Sequence, residues 1–243
     1  MILAIDCGNS RLKWGLRAGG RWQSTGSVPL ADIARLRGKW GKIAPGARVV
    51  VANVAGPAVR LRLEAILAGR PHPSWVRAKR GECGVTNGYR RPAQLGADRW
   101  AALIGAWSIL RGPCLVVAAG TATTADVLKG DGTFAGGAIL PGLELMKQSL
   151  ARSTAGLPFS KGRFSRPPRS TADAIETGCL LAQAGAIERM FAGMEPRAEC
   201  VLTGGAASRI ARYLSIPVRI ENHLVLEGLV RIARETTGRP ERS

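Results

Sequence analysis

The sequence predicts an α/β protein of two halves that share one order of elements, β-β-β-α-β-α. Three observations carry that expectation. The chain opens on an apolar run, ILAIDC, followed by two more strand-like segments before any helical pattern begins. The same three-strand opening returns further on, in PCLVVAAGTATTADVLKGDGTFAGGAIL. After each opening, segments of helical period alternate with short apolar strands. The repeat is one of architecture, not of letters.

The elements follow in order. Strands are expected at 2–7, 11–17 and 21–28, the last two joined at AGG. A helical stretch covers 30–40, and ARVVVANV is a buried strand because its apolar residues run on without alternation. Pro57 suits a first helical turn, and Val59, Leu63, Ile66 and Leu67 share one face before Gly69 and Pro71 end the helix. PSWVRA is one more strand. The second half opens on a helix over 95–110, then its three strands, turning at Gly120 and at KGDG. Helices are expected at 143–150 and 171–191, then a strand in ECVLTGG, a helix to 214, a strand in IPVRI and a last helix to about 235. PFSKGRFSRPPRS reads as a loop and TGRPERS as a fraying tail. The halves are 1–93 and 94–243.

Composition narrows the class. A chain of 243 residues with 46% hydrophobic and 21% charged residues can bury a substantial core. The longest apolar run, 101–110, is too short to span a bilayer. Met1 leads straight into a strand, so no signal peptide is expected. Cys7, Cys83, Cys114, Cys179 and Cys200 are scattered without a C-x-x-C pair, which suggests a reducing cytoplasm, and His72 and His223 stand alone, so a zinc cluster is not expected. The net charge of +18 raises nucleic acid as a partner. Arg and Lys are nonetheless spread along the whole chain with few aromatics, which better fits a basic surface serving solubility or attracting small anions.

The duplicated pattern is similar to the two ribonuclease-H-like halves that face a central cleft in the actin, Hsp70 and sugar-kinase superfamily. There the first hairpin of each half meets phosphate. Asp6 then ends a strand where Mg²⁺ and phosphate arrive, and Gly8 leaves the backbone open to them. Asn9, Ser10 and Lys13 add donors. Alone, DCGNS is also an ordinary hairpin with an Asp turn; the matching AAGTATT of the second half favours the phosphate reading. Neither a G-x-x-x-x-G-K-[ST] loop nor a G-x-G-x-x-G fingerprint is present, so the hairpins are the phosphate candidates.

A second constellation lies in TNGYRRPAQLGADRWAALIGAW. Its apolar spacing puts Gly96, Ala97, Asp98 and Arg99 at a helix start, where a carboxylate is also a plain partner of the helix dipole. By themselves these residues favour that plainer reading.

Taken together, DCGNS, NGYRRPAQLGADR, GTATTAD, GGAILPGLELM, STAGLP, TADAIETG and LTGGAA resemble, in order and over nearly the whole chain, the type III pantothenate kinases, a family that includes Bvg accessory factor. The resemblance implies transfer of the ATP γ-phosphoryl group to the primary hydroxyl of pantothenate, giving 4'-phosphopantothenate, the first step of coenzyme A synthesis. It implies a homodimer, Mg²⁺ near Asp6 and an activating monovalent cation, K⁺ or NH₄⁺.

It also implies roles by position. Asp6, Cys7, Gly8, Asn9, Ser10, Arg11, Leu12 and Lys13 match the ATP-phosphate segment, and Thr121 a second nucleotide contact. Tyr89, Gly96, Ala97, Asp98, Arg99 and Thr171 match positions that hold pantothenate, with Asp98 the general base. A carboxylate within reach of the attacking hydroxyl orients it and accepts its proton. Arg99 can pair through its planar fork with either the substrate carboxylate or phosphate. Gly204 and Gly205 would let adenine or ribose lie against the backbone, or simply make a strand-to-helix turn.

Two features depart from the family's pattern. Cys7 and Ser10 replace the usual Ile or Leu and Thr, a mild change. Ala118 stands where many members have the aspartate that binds the monovalent cation, so weakened K⁺ dependence is expected. The alternatives are another small-molecule kinase or phosphatase of the same fold, and a non-catalytic regulatory or nucleic-acid-binding accessory protein. The retained Y-x-x-P-x-x-L-G-x-D-R run argues for an enzyme.

Overall fold

The computed structural model describes residues 1–157, 159 and 161–236; the expected fraying tail lies outside them, as do Pro158 and Ser160 of the expected loop. By packing, the chain groups into two units, one of residues 1–111 with the segment that begins at His223, the other of residues 112–222. The repeat read from the sequence divides at 93/94, whereas packing assigns the helix that follows, and the last helix, to the first unit.

The first unit begins with β1 (Ile2–Cys7), β2 (Arg11–Ala18) and β3 (Arg21–Pro29). Strand β1 is buried along its full length, which is why its residues run apolar without alternation. A 3-10 helix (Leu30–Arg35) and α1 (Leu36–Trp40) stand where one helix was expected. Gly38 weakens helix formation there, and the segment is held by Ile33, Leu36 and Trp40 packing into the sheet's core. After β4 (Arg48–Asn53), α2 (Pro57–Ile66) and β5 (Ser74–Trp75), the sheet is complete, in the order β3-β2-β1-β4-β5. Only Ser74 and Trp75 of PSWVRA pair with β4, so that strand is shorter than expected.

A small hairpin follows that the sequence reading did not anticipate, β6 (Gly81–Glu82) with β7 (Val85–Asn87). Cys83 and Gly84, at φ of 56° and 81°, make its turn. Both central residues with positive φ define a type I′ turn, usually signalled by Asn-Gly or Asp-Gly, and Cys-Gly does not advertise it. Then come a 3-10 turn (Pro92–Gln94) and α3 (Ala97–Leu110), which starts at Ala97 rather than at 95.

The second unit repeats the plan. Strands β8 (Cys114–Ala119), β9 (Ala122–Leu128) and β10 (Thr133–Pro141) are followed by α4 (Leu143–Ser153), α5 (Thr171–Phe191), β11 (Glu199–Thr203), α6 (Ala207–Ala211) and β12 (Val218–Ile220). The strands lie in the order β10-β9-β8-β11-β12, the same arrangement as in the first unit. Leu115, Val117, Leu180, Ile187, Leu202 and Ile210 form the core between sheet and helices. Helix α5 spans the residues expected of it, whereas α6 stops at Ala211, short of the expected 214.

Finally α7 (Leu224–Thr236) returns to the first unit. A Cβ at Gly105 would overlap Leu224 O, and one at Gly228 would overlap Ala101 O, so α3 and α7 touch backbone to backbone. All five cysteines are buried free thiols. Among the described residues no helix is long and apolar enough to cross a membrane, and no three His, Cys, Asp or Glu gather as a metal site.

Candidate active site

In the first unit, Asp6 sits one residue from the end of β1, opposite Lys13 on β2 and Ala52 on β4. Opposed residues of neighbouring strands place their side chains on one face of the sheet. Only 8% of Asp6 is exposed, and its Oδ1 is buried with no hydrogen-bond partner. Burial pushes its carboxyl up, the nearby charge of Asp98 pushes it further, and Lys13 pulls it back, leaving it raised to about 7. Beyond Asp6 the Gly8 N–H donates to Arg11 O at 3.1 Å and closes the hairpin, so that N–H is spent on the turn itself. A Cβ at Gly8 would lie 3.4 Å from Arg11 O, an ordinary contact. Asn9, Ser10 and Arg11 are exposed, Lys13 is half-buried, and Cys7 and Leu12 are core residues. Cys7 and Leu12 thus meet the apolar core through their side chains.

Asp98 is the second residue of α3, whose N-cap is Gly96. It is not the capping residue. Its Oδ1 accepts the Arg99 N–H at 2.8 Å, and a Cβ on Gly96 would come within 2.6 Å of that oxygen. Glycine at 96 therefore makes room for the Asp98 side chain to fold back over the helix start, where the dipole favours its negative charge. Ala97 and Arg99 are buried beside it, and the Arg99 guanidinium lies 5.8 Å from the centroid of the Tyr89 ring.

The loop that carries Tyr89 is fastened by residues the sequence reading passed over. Asn87 is fully buried; its Oδ1 accepts the Tyr89 N–H at 3.1 Å and its Nδ2 donates to Pro92 O at 3.2 Å. Arg80 Nη1 donates to both Asn87 O and Tyr89 O at 3.1 Å. The Asn-Gly pair at 87 and 88 was the available signal, since Asn bonds the backbone two residues on.

In the second unit, Thr121 lies exposed in the turn between β8 and β9. The Gly142 N–H donates to Thr121 O at 2.9 Å, and a side chain on Gly142 would collide with the turn's carbonyls. Gly204 has φ +102° and a Cβ there would overlap Ala119 O, while the Ala206 N–H donates to that same oxygen at 3.1 Å. The turn of LTGG is thus pressed on the end of β8. At Gly205 a Cβ would meet nothing within 4 Å. Thr171 is the exposed first residue of α5, after the N-cap Ser170, whose Oγ accepts the Asp173 N–H at 3.1 Å. Ala118 lies between Thr124 and Thr203 in the sheet register and brings no side-chain donor atom.

The first unit therefore brings Lys13 and Asp98 within electrostatic reach of Asp6 and sets Arg99 against Tyr89. The second unit carries Thr121 and Thr171 on separate segments, both exposed.

Comparison with known proteins identifies the family. A family model described as type III pantothenate kinase matches residues 2–193. A type III pantothenate kinase of Aromatoleum aromaticum is 52% identical over 239 residues, covering 97% of this chain and 98% of its own. One from Azoarcus sp. is 51% identical, with 96% and 90% covered. Among solved structures, a Baf-family protein of Campylobacter jejuni superposes with a TM-score of 0.66 at 20% identity, covering 98% of this chain and all of the other. MreB 5 of Spiroplasma citri superposes at 0.51 and 10% identity, with 98% and 96% covered. Likenesses this distant speak for the fold alone, which is the actin-like one. The match along nearly the whole chain at half identity goes further: this chain belongs to the type III pantothenate kinases, phosphotransferases that phosphorylate pantothenate in coenzyme A biosynthesis.

Proposed function

We propose that Asp98 is the general base that takes the proton from the pantothenate hydroxyl as it attacks the γ-phosphorus of ATP. Residues 6–13 and Thr121 serve the nucleotide in this reading. Tyr89, Gly96, Ala97, Arg99 and Thr171 serve pantothenate. The observation that carries it is the contrast between the two carboxylates. Asp6 is buried, lacks a partner at Oδ1 and is raised to about 7, whereas Asp98 is only partly buried, at a helix N-terminus. Unlike surroundings assign two neighbouring carboxylates unlike tasks.

The orphaned Oδ1 of Asp6 suits a divalent cation, and Mg²⁺ held there would neutralise charge on the nucleotide phosphates. Lys13, on the same sheet face, adds a fixed positive charge. Neither φ nor crowding demands glycine at 8, which supports its role as a bare stretch of backbone for a ligand to approach. Arg99, buried against Tyr89, is held as a rigid fork for an anionic group of the substrate. Ala118 cannot ligate a monovalent cation through its side chain, so no part of the reaction is assigned to K⁺ there. The homodimer belongs to the same proposal, and five free thiols support a reducing, cytoplasmic setting.

The test is ATP-dependent phosphorylation of pantothenate by the purified protein with Mg²⁺. Formation of 4'-phosphopantothenate in proportion to ADP is expected. ATP hydrolysis without a phosphorylated acceptor would count against the assignment.

A further inference from the structure

Four charged side chains in the second unit form a closed ring. Arg209 Nη1 lies 3.0 Å from Glu144 Oε1, and its Nη2 pairs with Glu176 Oε1. Lys147 Nζ lies 2.7 Å from Glu144 Oε1 and 3.4 Å from Glu176 Oε2. Two cations and two carboxylates alternate, and the charges cancel. The Lys147 and Glu176 side chains are only 5% and 4% exposed, while Glu144 and Arg209 close the ring nearer the surface.

Such a ring is a poor way to gain stability. Taking Lys147 and Glu176 out of water costs about what their attraction returns, and apolar replacements often do as well. What a fully paired buried network does supply is one arrangement of the elements that carry it. Here those elements are three helices. Glu144 lies in the first turn of α4 and Lys147 one turn on, Glu176 lies near the start of α5, and Arg209 lies in the middle of α6.

Two of these helices are joined directly to turns already described. Helix α4 begins after Gly142, whose N–H holds Thr121 O, and α6 begins after the LTGG turn that rests on Ala119. Helix α6 has only five residues, too few to hold its own shape in water, and buries just Ala207 and Ile210. The Arg209 fork is therefore a further restraint on where α6 comes to rest, beside the Ala206–Ala119 hydrogen bond that holds the turn before it.

We propose that Lys147, Glu176, Glu144 and Arg209 are positioning residues that set the LTGG turn relative to the Thr121 turn, and through that spacing set the affinity for ATP. The proposal rests on the reading of Thr121 as a nucleotide contact, and it takes the LTGG turn as the place where adenine or ribose lies. None of the four residues touches the reacting atoms in this scheme, so the effect falls on ATP binding and not on the chemical step.

Two variants test it. Lys147→Met with Glu176→Leu replaces the buried pair by apolar groups of similar size, and Arg209→Gln opens the ring from its exposed side. Arg219→Ala, which breaks an exposed ion pair with Glu199 on the same unit, is the control. ATP–Mg²⁺ binding is measured by calorimetry, and kcat and KM for both substrates are measured beside thermal melting. The expected result is a Kd and KM for ATP raised tenfold or more in both variants, with kcat within threefold of the wild type and melting within a few degrees. ATP affinity within twofold of the wild type in either folded variant would overturn the proposal. If the double variant does not fold, Arg209→Gln alone decides. Failure of the wild type to phosphorylate pantothenate would instead strike the functional reading, and ATP binding would still judge the ring.

Discussion

Asp6 at the end of β1 and Asp98 at the start of α3 lie close enough that the charge of one raises the proton affinity of the other. They are far apart in the chain and meet only because α3 packs in the same unit as the first sheet. Like charges set side by side resist joint ionisation, and this repulsion adds to burial in holding the proton on Asp6. An incoming cation at Asp6 would relieve that repulsion.

Asp98→Asn removes the proposed base while keeping an oxygen for the Arg99 N–H at the helix start. Turnover is expected to fall roughly 10²–10⁴-fold with KM little changed, since general-base catalysis contributes on that scale. The measurement is steady-state kinetics beside a circular dichroism spectrum. A loss smaller than tenfold would remove Asp98 from the role.

Asp6 makes a prediction about pH. Its folded value, about 7, lies above the ordinary 3.8, so between those values the native state binds the proton more tightly than the unfolded chain. This group's contribution to stability therefore falls as pH rises from about 4 to 7 and stays low above that. Asp6→Asn removes the cost, at most about 4 kcal/mol for a shift of this size. Without divalent cations the variant is expected to melt above the wild type at pH 8 and together with it near pH 4, while losing activity. Equal melting temperatures at pH 8 would contradict the buried, unpartnered state of Asp6.

The Asn87 side chain ties the Tyr89 loop from a fully buried position. Asn87→Ala leaves the Tyr89 N–H and Pro92 O without their partners, at a cost of about 1–3 kcal/mol. We expect KM for pantothenate to rise with KM for ATP unchanged, in an assay run well below the melting temperature. A change confined to ATP would separate Asn87 from the acceptor side.

Ala118 yields a salt test. With no side-chain donor at that position, replacing Na⁺ by K⁺ or NH₄⁺ at constant ionic strength is expected to change turnover less than twofold. Strong activation by K⁺ and NH₄⁺ alike would show that backbone oxygens or other side chains hold the cation.

Local pattern determined a good deal by itself. The apolar run of β1, the returning three-strand opening and the helical period of 171–191 each record which faces are buried, and burial is what periodicity encodes. The run around Tyr89, Asp98 and Arg99 stood out only through its resemblance to a family pattern, since by themselves its residues favour a plain helix start. Elsewhere the local signals were weak: Cys-Gly hides the β6–β7 turn, and nothing in the sequence marks the division of the expected helix between Arg35 and Leu36. Tertiary structure alone decided which charges became neighbours. The meeting of Asp6 with Asp98 and the ring of Glu144, Lys147, Glu176 and Arg209 depend on how separate elements pack. Coulomb forces and desolvation act through distance in space, and the order of residues along the chain does not contain that distance.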